Sequence, residues 1–185
     1  MKDPALGIIE FKSVAKGIKA TDDMVKKAPV TVIETHPVCP GKYLIMIGGE
    51  VAAVEESMKA GLETGGDMVI NHIFLPHIHP SVIPALTGTA RVEKFESLGV
   101  IETFSVAACV EAADIAAKAT PVQLVEIRLA NGLGGKAYFV MTGSLPDMES
   151  SLERAKDYIK KTGMLAGCEL IASPHSEMIE KGVYW

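Results

Sequence analysis

The sequence predicts an α+β protein built from two tandem ferredoxin-like units, each with the element order β-α-β-β-α-β. Two observations carry this. The chain repeats itself once, and within each copy short β-rich runs alternate with helix-period segments in the same order. Leu6-Gly7-Ile8-Ile9-Glu10 returns 92 residues on as Leu98-Gly99-Val100-Ile101-Glu102. At the same spacing Ser13-Val14-Ala15 matches Ser105-Val106-Ala107, Asp22 matches Asp114, and Lys26 matches Lys118. Pro29-Val30 likewise matches Pro121-Val122, and Glu34 matches Glu126. From Gly41-Lys42 and Gly135-Lys136 through Glu55 and Glu149 the spacing is 94 residues, so the second copy gains two residues in the turn before them. Many identities in one order, with one shift, mark a duplication whose domains run from residue 1 to 92 and from 93 to 185.

The elements follow in order. Leu6 to Phe11 is a β-rich run, and Ser13 is suited to cap the helix after it. Val14, Ile18, Met24 and Val25 give that helix an apolar stripe, and Pro29 ends it. Val30 to Val38 and Lys42 to Gly48 read as two strands joined by a tight turn. Val51 to Leu62 reads as a second helix closed by Gly65-Gly66. Met68 to Leu75 is a last strand, His79 to Leu86 is a short helix interrupted by Pro84, and Thr89 to Ser97 is a polar linker. The second copy repeats the pattern over Leu98 to Thr103, Val106 to Ala119, Val122 to Leu129, Lys136 to Met141, Asp147 to Thr162 and Cys168 to Ala172. This order is that of the split βαβ unit.

A chain of 185 residues with 48% hydrophobic content is long enough to bury a substantial core. A net charge of −5, with no basic stripe, argues against nucleic-acid binding. Cys39, Cys109 and Cys168 are too few and too scattered for a disulfide framework, which favours a reducing compartment. Met1-Lys2-Asp3-Pro4 lacks an apolar signal core, and no apolar run approaches a membrane span. The expected location is cytoplasmic.

The turn that gained two residues is where the copies differ. In the first copy it reads Pro37-Val38-Cys39-Pro40-Gly41-Lys42. Two prolines and a glycine shape the backbone around one thiol. In the second copy it reads Asn131-Gly132-Leu133-Gly134-Gly135 and has no cysteine. The glycine-rich version lacks the Gly-Lys-Ser/Thr ending of a phosphate loop. Cys109, in an alanine-rich helix, and Cys168, in an apolar strand, read as core residues. His36 lies near Cys39, but no orienting acid or oxyanion site accompanies the pair, so no catalytic residue is assigned. His72, His77 and His79 do not have the spacing of a zinc site. Lys26 and Lys118 suit helix C-termini as ordinary solvated lysines.

The duplicated unit, the Leu-Gly-Ile-Ile-Glu opening and the Asp22…Lys26-Lys27-Ala28-Pro29-Val30 helix end together resemble the tandem-domain, trimer-forming class of bacterial microcompartment shell proteins. The resemblance covers nearly the whole chain. Within that class the Cys-Pro-Gly-Lys turn resembles that of members from propanediol-utilisation compartments. The resemblance implies a homotrimer that forms a pseudohexameric tile in a microcompartment shell, beside other shell proteins. It implies a central pore bordered by Val38, Pro40, Gly41, Asn131, Gly132, Leu133 and Gly134. It also implies Cys39 as a metal ligand, with three copies sharing one iron–sulfur cluster of the 4Fe-4S type that exchanges electrons with an encapsulated or cytosolic redox protein. One cysteine per chain cannot supply a cluster, but a threefold axis brings three. Lys26, Lys118 and His77 fall at the tile edge in this reading. The chain departs from the family's Pro-Arg-Pro-His edge motif: it has Pro76-His77-Ile78-His79 and Ala172-Ser173-Pro174-His175, so a bidentate arginine contact is missing from both copies. Two alternatives stay open: a purely structural or metabolite-transporting tile with Cys39 unliganded, and a small-molecule sensor of ferredoxin-like fold.

Overall fold

The computed structural model describes residues 5–183; Met1–Pro4, which carry the expectation of a missing signal core, lie outside them. The chain forms two compact units. The first runs through Ile78 and takes in Ala130–Gly135; the second comprises His79–Leu129 and the chain from Lys136 onward.

In the first unit the elements are β1 (Ala5–Phe11), α1 (Val14–Lys27), β2 (Thr31–Val38), β3 (Lys42–Gly49), α2 (Val51–Gly65) and β4 (Val69–Leu75), with a 3-10 turn at Gly66–Met68. The sheet order is β2-β3-β1-β4, and every neighbour pair is antiparallel. This is the arrangement that two crossovers of the split βαβ type produce. The core joins Ile9 and Phe11 of β1, Tyr43, Ile45 and Ile47 of β3, Ala20 and Met24 of α1, and Val54 and Met58 of α2. Ser13 accepts from the Lys16 amide and caps α1 as its sequence suggests.

The apolar stripe of α1 is not the one its periodicity suggests. Gly17, Ala20 and Met24 are buried, while Ile18 is 56% and Val25 41% exposed. The cause is Tyr43. Its ring fills the space over Gly17, where a Cβ would come within 2.3 Å of Cδ1. A ring supplied by the sheet takes the place of a side chain from the helix, and the helix rolls onto its small residues.

The second unit repeats the pattern with α3 (Val82–Leu86) placed before it, then β5 (Ser97–Thr103), α4 (Val106–Ala119), β6 (Gln123–Arg128), β7 (Ala137–Gly143), α5 (Leu145–Thr162) and β8 (Leu165–Ile171). Its sheet order is β6-β7-β5-β8, again antiparallel throughout. A three-residue helix, α6 (Ser176–Met178), and one π turn (Ile179–Val183) follow. Both copies therefore carry the expected ferredoxin-like α+β fold. Boundaries shift by a few residues. β8 begins at Leu165 because Leu165 and Gly167 pair with Thr103 and Glu102 of β5, with Ala166 at a bulge between them, although glycine is a weak strand former. Cys168 consequently lies in the middle of an edge strand and is half-buried rather than a core residue, and burial pushes its thiol pKa up. Cys109 is fully buried in α4, as expected.

Candidate functional site

The β2–β3 hairpin closes through three residues, since Val38 pairs with Lys42. Val38 is buried and anchors the turn; Cys39, Pro40 and Gly41 are exposed beyond it. Gly41 has φ +81°, a left-handed conformation that favours glycine, and a side chain there would meet open space. Below the turn the strands are cross-braced. Thr35 Oγ1 donates to Tyr43 Oη at 3.0 Å, and Lys42 Nζ lies 3.4 Å from the Glu10 carboxylate, which is 1% exposed. His36 Nε2 stands 3.1 Å from Glu34 Oε2. The imidazole is thus engaged on its own strand by a carboxylate.

The second turn spans the stretch between β6 and β7. Gly132, Gly134 and Gly135 have φ of +72°, +61° and +89°, which accounts for the glycine-rich sequence. Asn131, Gly132 and Gly134 are exposed and Leu133 is half-buried. Gly135 is buried against the cysteine turn: a Cβ there would lie 2.7 Å from Pro40 Cδ and 3.2 Å from the Cys39 carbonyl oxygen. Ala130–Gly135 belong to the first unit, so the fold gathers the two turns predicted from sequence into one place. The brace recurs, with Lys136 Nζ 2.7 Å from Glu102 Oε1. Each turn is therefore followed directly by a lysine paired to a glutamate of its sheet's inner strand. Sequence reading did not single out these pairs, although Glu10/Glu102 and Lys42/Lys136 are both identities of the repeat.

The edge candidates lie on other elements. Lys26 and Lys118 occupy the last turns of α1 and α4, and each meets an aspartate one turn earlier at 2.6 Å, Asp22 and Asp114 respectively. That hydrogen bond holds the Lys26 ammonium above the usual lysine range. His77 is exposed beyond the end of β4. His79 Nδ1 engages Ser81 Oγ at 2.7 Å and accepts from the Ser81 amide at 3.3 Å, a local turn and not a metal site. Among the described residues of one chain, no three His, Cys, Asp or Glu side chains converge in a metal-binding group. Any cluster on Cys39 has to be assembled from several chains. No helix among the described residues is long and apolar enough to cross a membrane.

Comparison with known proteins agrees with this geometry. The BMC domain family model matches twice, over residues 5–78 and 97–174. The chain is 42% identical over 174 residues to the bacterial microcompartment shell protein PduT of Citrobacter freundii, covering 94% of this chain and 95% of that one. It is 31% identical over 100 residues to the carboxysome shell protein CcmK1 of Synechocystis, which spans 51% of this chain and 90% of the relative. Among solved structures, a microcompartment protein from Desulfitobacterium hafniense superposes with a TM-score of 0.89 at 40% identity, covering 96% and 99% of the two chains.

Proposed function

This chain belongs to the BMC-domain family of bacterial microcompartment shell proteins, and from that premise we propose that three copies close into a pseudohexagonal tile whose centre holds an iron–sulfur cluster on three Cys39 thiolates. The observation that carries the reading is the pairing of the two turns. The cysteine turn and the glycine turn lie together, with the thiol exposed at the tip of a braced hairpin. Three chains bring three thiolates to one axis, alternating with three turns that carry no ligand. The donor set fits: thiolate is the usual ligand of such clusters, and three of four irons are served while the fourth takes another ligand. Bound there, a 4Fe-4S cluster supplies one-electron transfer across the shell, toward a redox protein on either side. The chain's own part is to hold each sulfur. Val38 anchors one flank, Gly41 gives the sharp return, and the Glu10–Lys42 pair fixes the strand ends, so little freedom is lost on binding.

The trimer has separate support. Ile18 and Val25 of α1 are exposed in the single chain, while their counterparts in α4, Val110 and Ala117, are buried. A ring of three chains covers the first in the way the second is already covered. Neighbouring tiles and other shell proteins then meet along the edges that carry Lys26, Lys118 and His77.

The test is anaerobic reconstitution followed by iron and sulfide analysis and visible absorption. Parent trimers are expected to take up one cluster per three chains. Cys39→Ser trimers are expected to lose it completely, because one substitution removes all three ligands. Cys109→Ser and Cys168→Ser are expected to keep it. Equal iron and sulfide in Cys39→Ser trimers overturns the electron-transfer role and leaves a tile that passes small metabolites through the glycine-bordered opening.

A further inference from the structure

The segment after β4 and the segment after β8 are built alike. His79 Nδ1 accepts from the Ser81 amide at 3.3 Å, and His175 Nδ1 accepts from the Glu177 amide at 3.3 Å. In both, the amide three residues after the histidine donates to its carbonyl: Val82 to His79 at 3.0 Å, and Met178 to His175 at 3.1 Å. The two turns share these two hydrogen bonds in the same register, although Pro80-Ser81-Val82 and Ser176-Glu177-Met178 share no identity.

Their surroundings differ. The first segment is held down within its unit. The His79 amide donates to Asp114 Oδ1 at 2.7 Å, while Lys118 occupies Oδ2 of the same carboxylate at 2.6 Å. Val82 is fully buried. Asp114 sits on α4 between Val110 and Ala117, four residues after one and three before the other, so the three share one face. That face is closed: Val110 is 0%, Asp114 3% and Ala117 5% exposed. The second segment is more open: His175 is exposed and Ile179 half-buried, and Met178, also half-buried, packs on one side against the cluster of Leu98, Val125 and Val140.

The repeat supplies the missing partner. The counterparts of Val110, Asp114, Ala117 and Lys118 are Ile18, Asp22, Val25 and Lys26 on α1. Lys26 takes Oδ2 of Asp22 at 2.6 Å, as Lys118 takes Oδ2 of Asp114. Here the face is open, with Ile18 56% and Val25 41% exposed and the Asp22 side chain at 48%. We propose that the His175–Ile179 arm of one copy docks on α1 of a second copy. The arm's His175 amide donates to Oδ1 of Asp22, and Met178 and Ile179 cover Ile18 and Val25. The occupant is a second copy because the chain already contains the template for the contact: a His79 amide on the Asp114 carboxylate, beside a closed apolar face of α4. The arm is short, but it adds a charge-assisted hydrogen bond and apolar burial at each of three equivalent places. The inference rests on the ring proposed above and specifies which segment of one copy closes onto which helix of the next.

The test uses full-length protein with a benzophenone amino acid at position 178, in trimers assembled from a mixture of 14N- and 15N-labelled chains. Light scattering first establishes the trimer. On irradiation, conjugates are expected between position 178 of one isotope and the α1 peptide, residues 14–27, of the other. A second measurement avoids any disturbance by the bulky probe. Asp22→Ala is expected to raise the concentration at which trimers half-assemble by about tenfold or more, the scale of a lost hydrogen bond to a charged acceptor. Asp22→Asn, which keeps an oxygen acceptor, is expected to recover much of it. A monomer on scattering overturns the ring and the arm together. A trimer whose conjugates stay within one isotope or fall outside α1, or whose assembly is unmoved by Asp22→Ala, overturns the arm alone.

Discussion

Helices α1 and α4 descend from one duplicated segment and occupy the same place in the same fold, yet they meet different environments. In α4 the residues Val106 to Ala117 are buried on nearly every face, and alanine fills half of the positions. In α1 only Gly17, Ala20 and Met24 are buried, and lysine and aspartate fill the open side. Local sequence follows burial in both. The packing beneath has also exchanged sizes. Gly17 lies under the large Tyr43, whereas the corresponding positions in the second unit are Cys109 and Ala137, both 0% exposed. A small helix residue beneath a large strand residue has become a larger one beside a small one. Volume at the contact is thus shared out differently while the backbone course is kept, the kind of exchange that cores tolerate.

The largest difference is expected from placing a charge on the shared stripe. Val110→Asp puts an unpaired carboxylate at a site with no exposure, and a loss of more than about 4 kcal/mol is expected, enough to unfold many domains. Ile18→Asp puts the same group at a position 56% exposed. Below the concentration of assembly its cost is expected within about 0.5 kcal/mol. Above it, Ile18→Asp should block the trimer. Urea denaturation of dilute protein, with light scattering of concentrated protein, measures both. If Ile18→Asp unfolds the dilute chain as Val110→Asp does, the two helices are not different and the open stripe of α1 is not an interface.

A smaller effect is expected at the size exchange. Gly17→Ala drives a methyl group into the Tyr43 ring, at a cost of about 1–3 kcal/mol. Replacing both, as Gly17→Cys with Tyr43→Ala, transplants the pair of the second unit. Its cost is expected to fall clearly below the sum of the two single changes, because the residues are in contact and couple. Strict additivity in a double-mutant cycle would mean that the pair is coincidental.

Much of this was legible in the sequence and some was not. The duplication, the order of elements along the chain and the divergent turn could be read because each rests on identities, on hydrophobic period, or on glycine and proline, whose backbone effects are local. The exposed face of α1 could not. Hydrophobic period marks Ile18 and Val25 as apolar, and period alone is blind to whether an apolar face is covered within the chain or by another copy. Gly17 was a weak signal of close approach, legible only with Tyr43 in view. The His175 arm escaped because α6 is three residues long and mostly polar, with no period to find. The gathering of the Cys39 and Gly135 turns depends on tertiary placement, though the two extra residues in the second turn pointed to where the copies had diverged.

The smallest effect concerns the two lysines. Lys26 is 71% exposed over an aspartate that is 48% exposed, whereas Lys118 covers a carboxylate that is only 5% exposed. Lys26→Glu removes a surface pair and adds a like-charge contact that solvent screens, so little change in the stability of the fold is expected. Lys118→Glu instead sets a negative charge beside the buried Asp114, where about 1–3 kcal/mol is expected. The hydrogen bond to Asp22 raises the Lys26 pKa. The pairing is therefore in force below the ordinary lysine value and is lost only as pH rises through the elevated one, so the Lys26 contribution should be flat from about pH 6 to 9. Assembly adds a sharper distinction. If Lys26 serves the tile edge, Lys26→Glu leaves trimers intact by scattering and removes extended sheets in electron micrographs. If trimers dissociate instead, Lys26 acts through Asp22, at the contact between α1 and the arm, and the edge assignment fails.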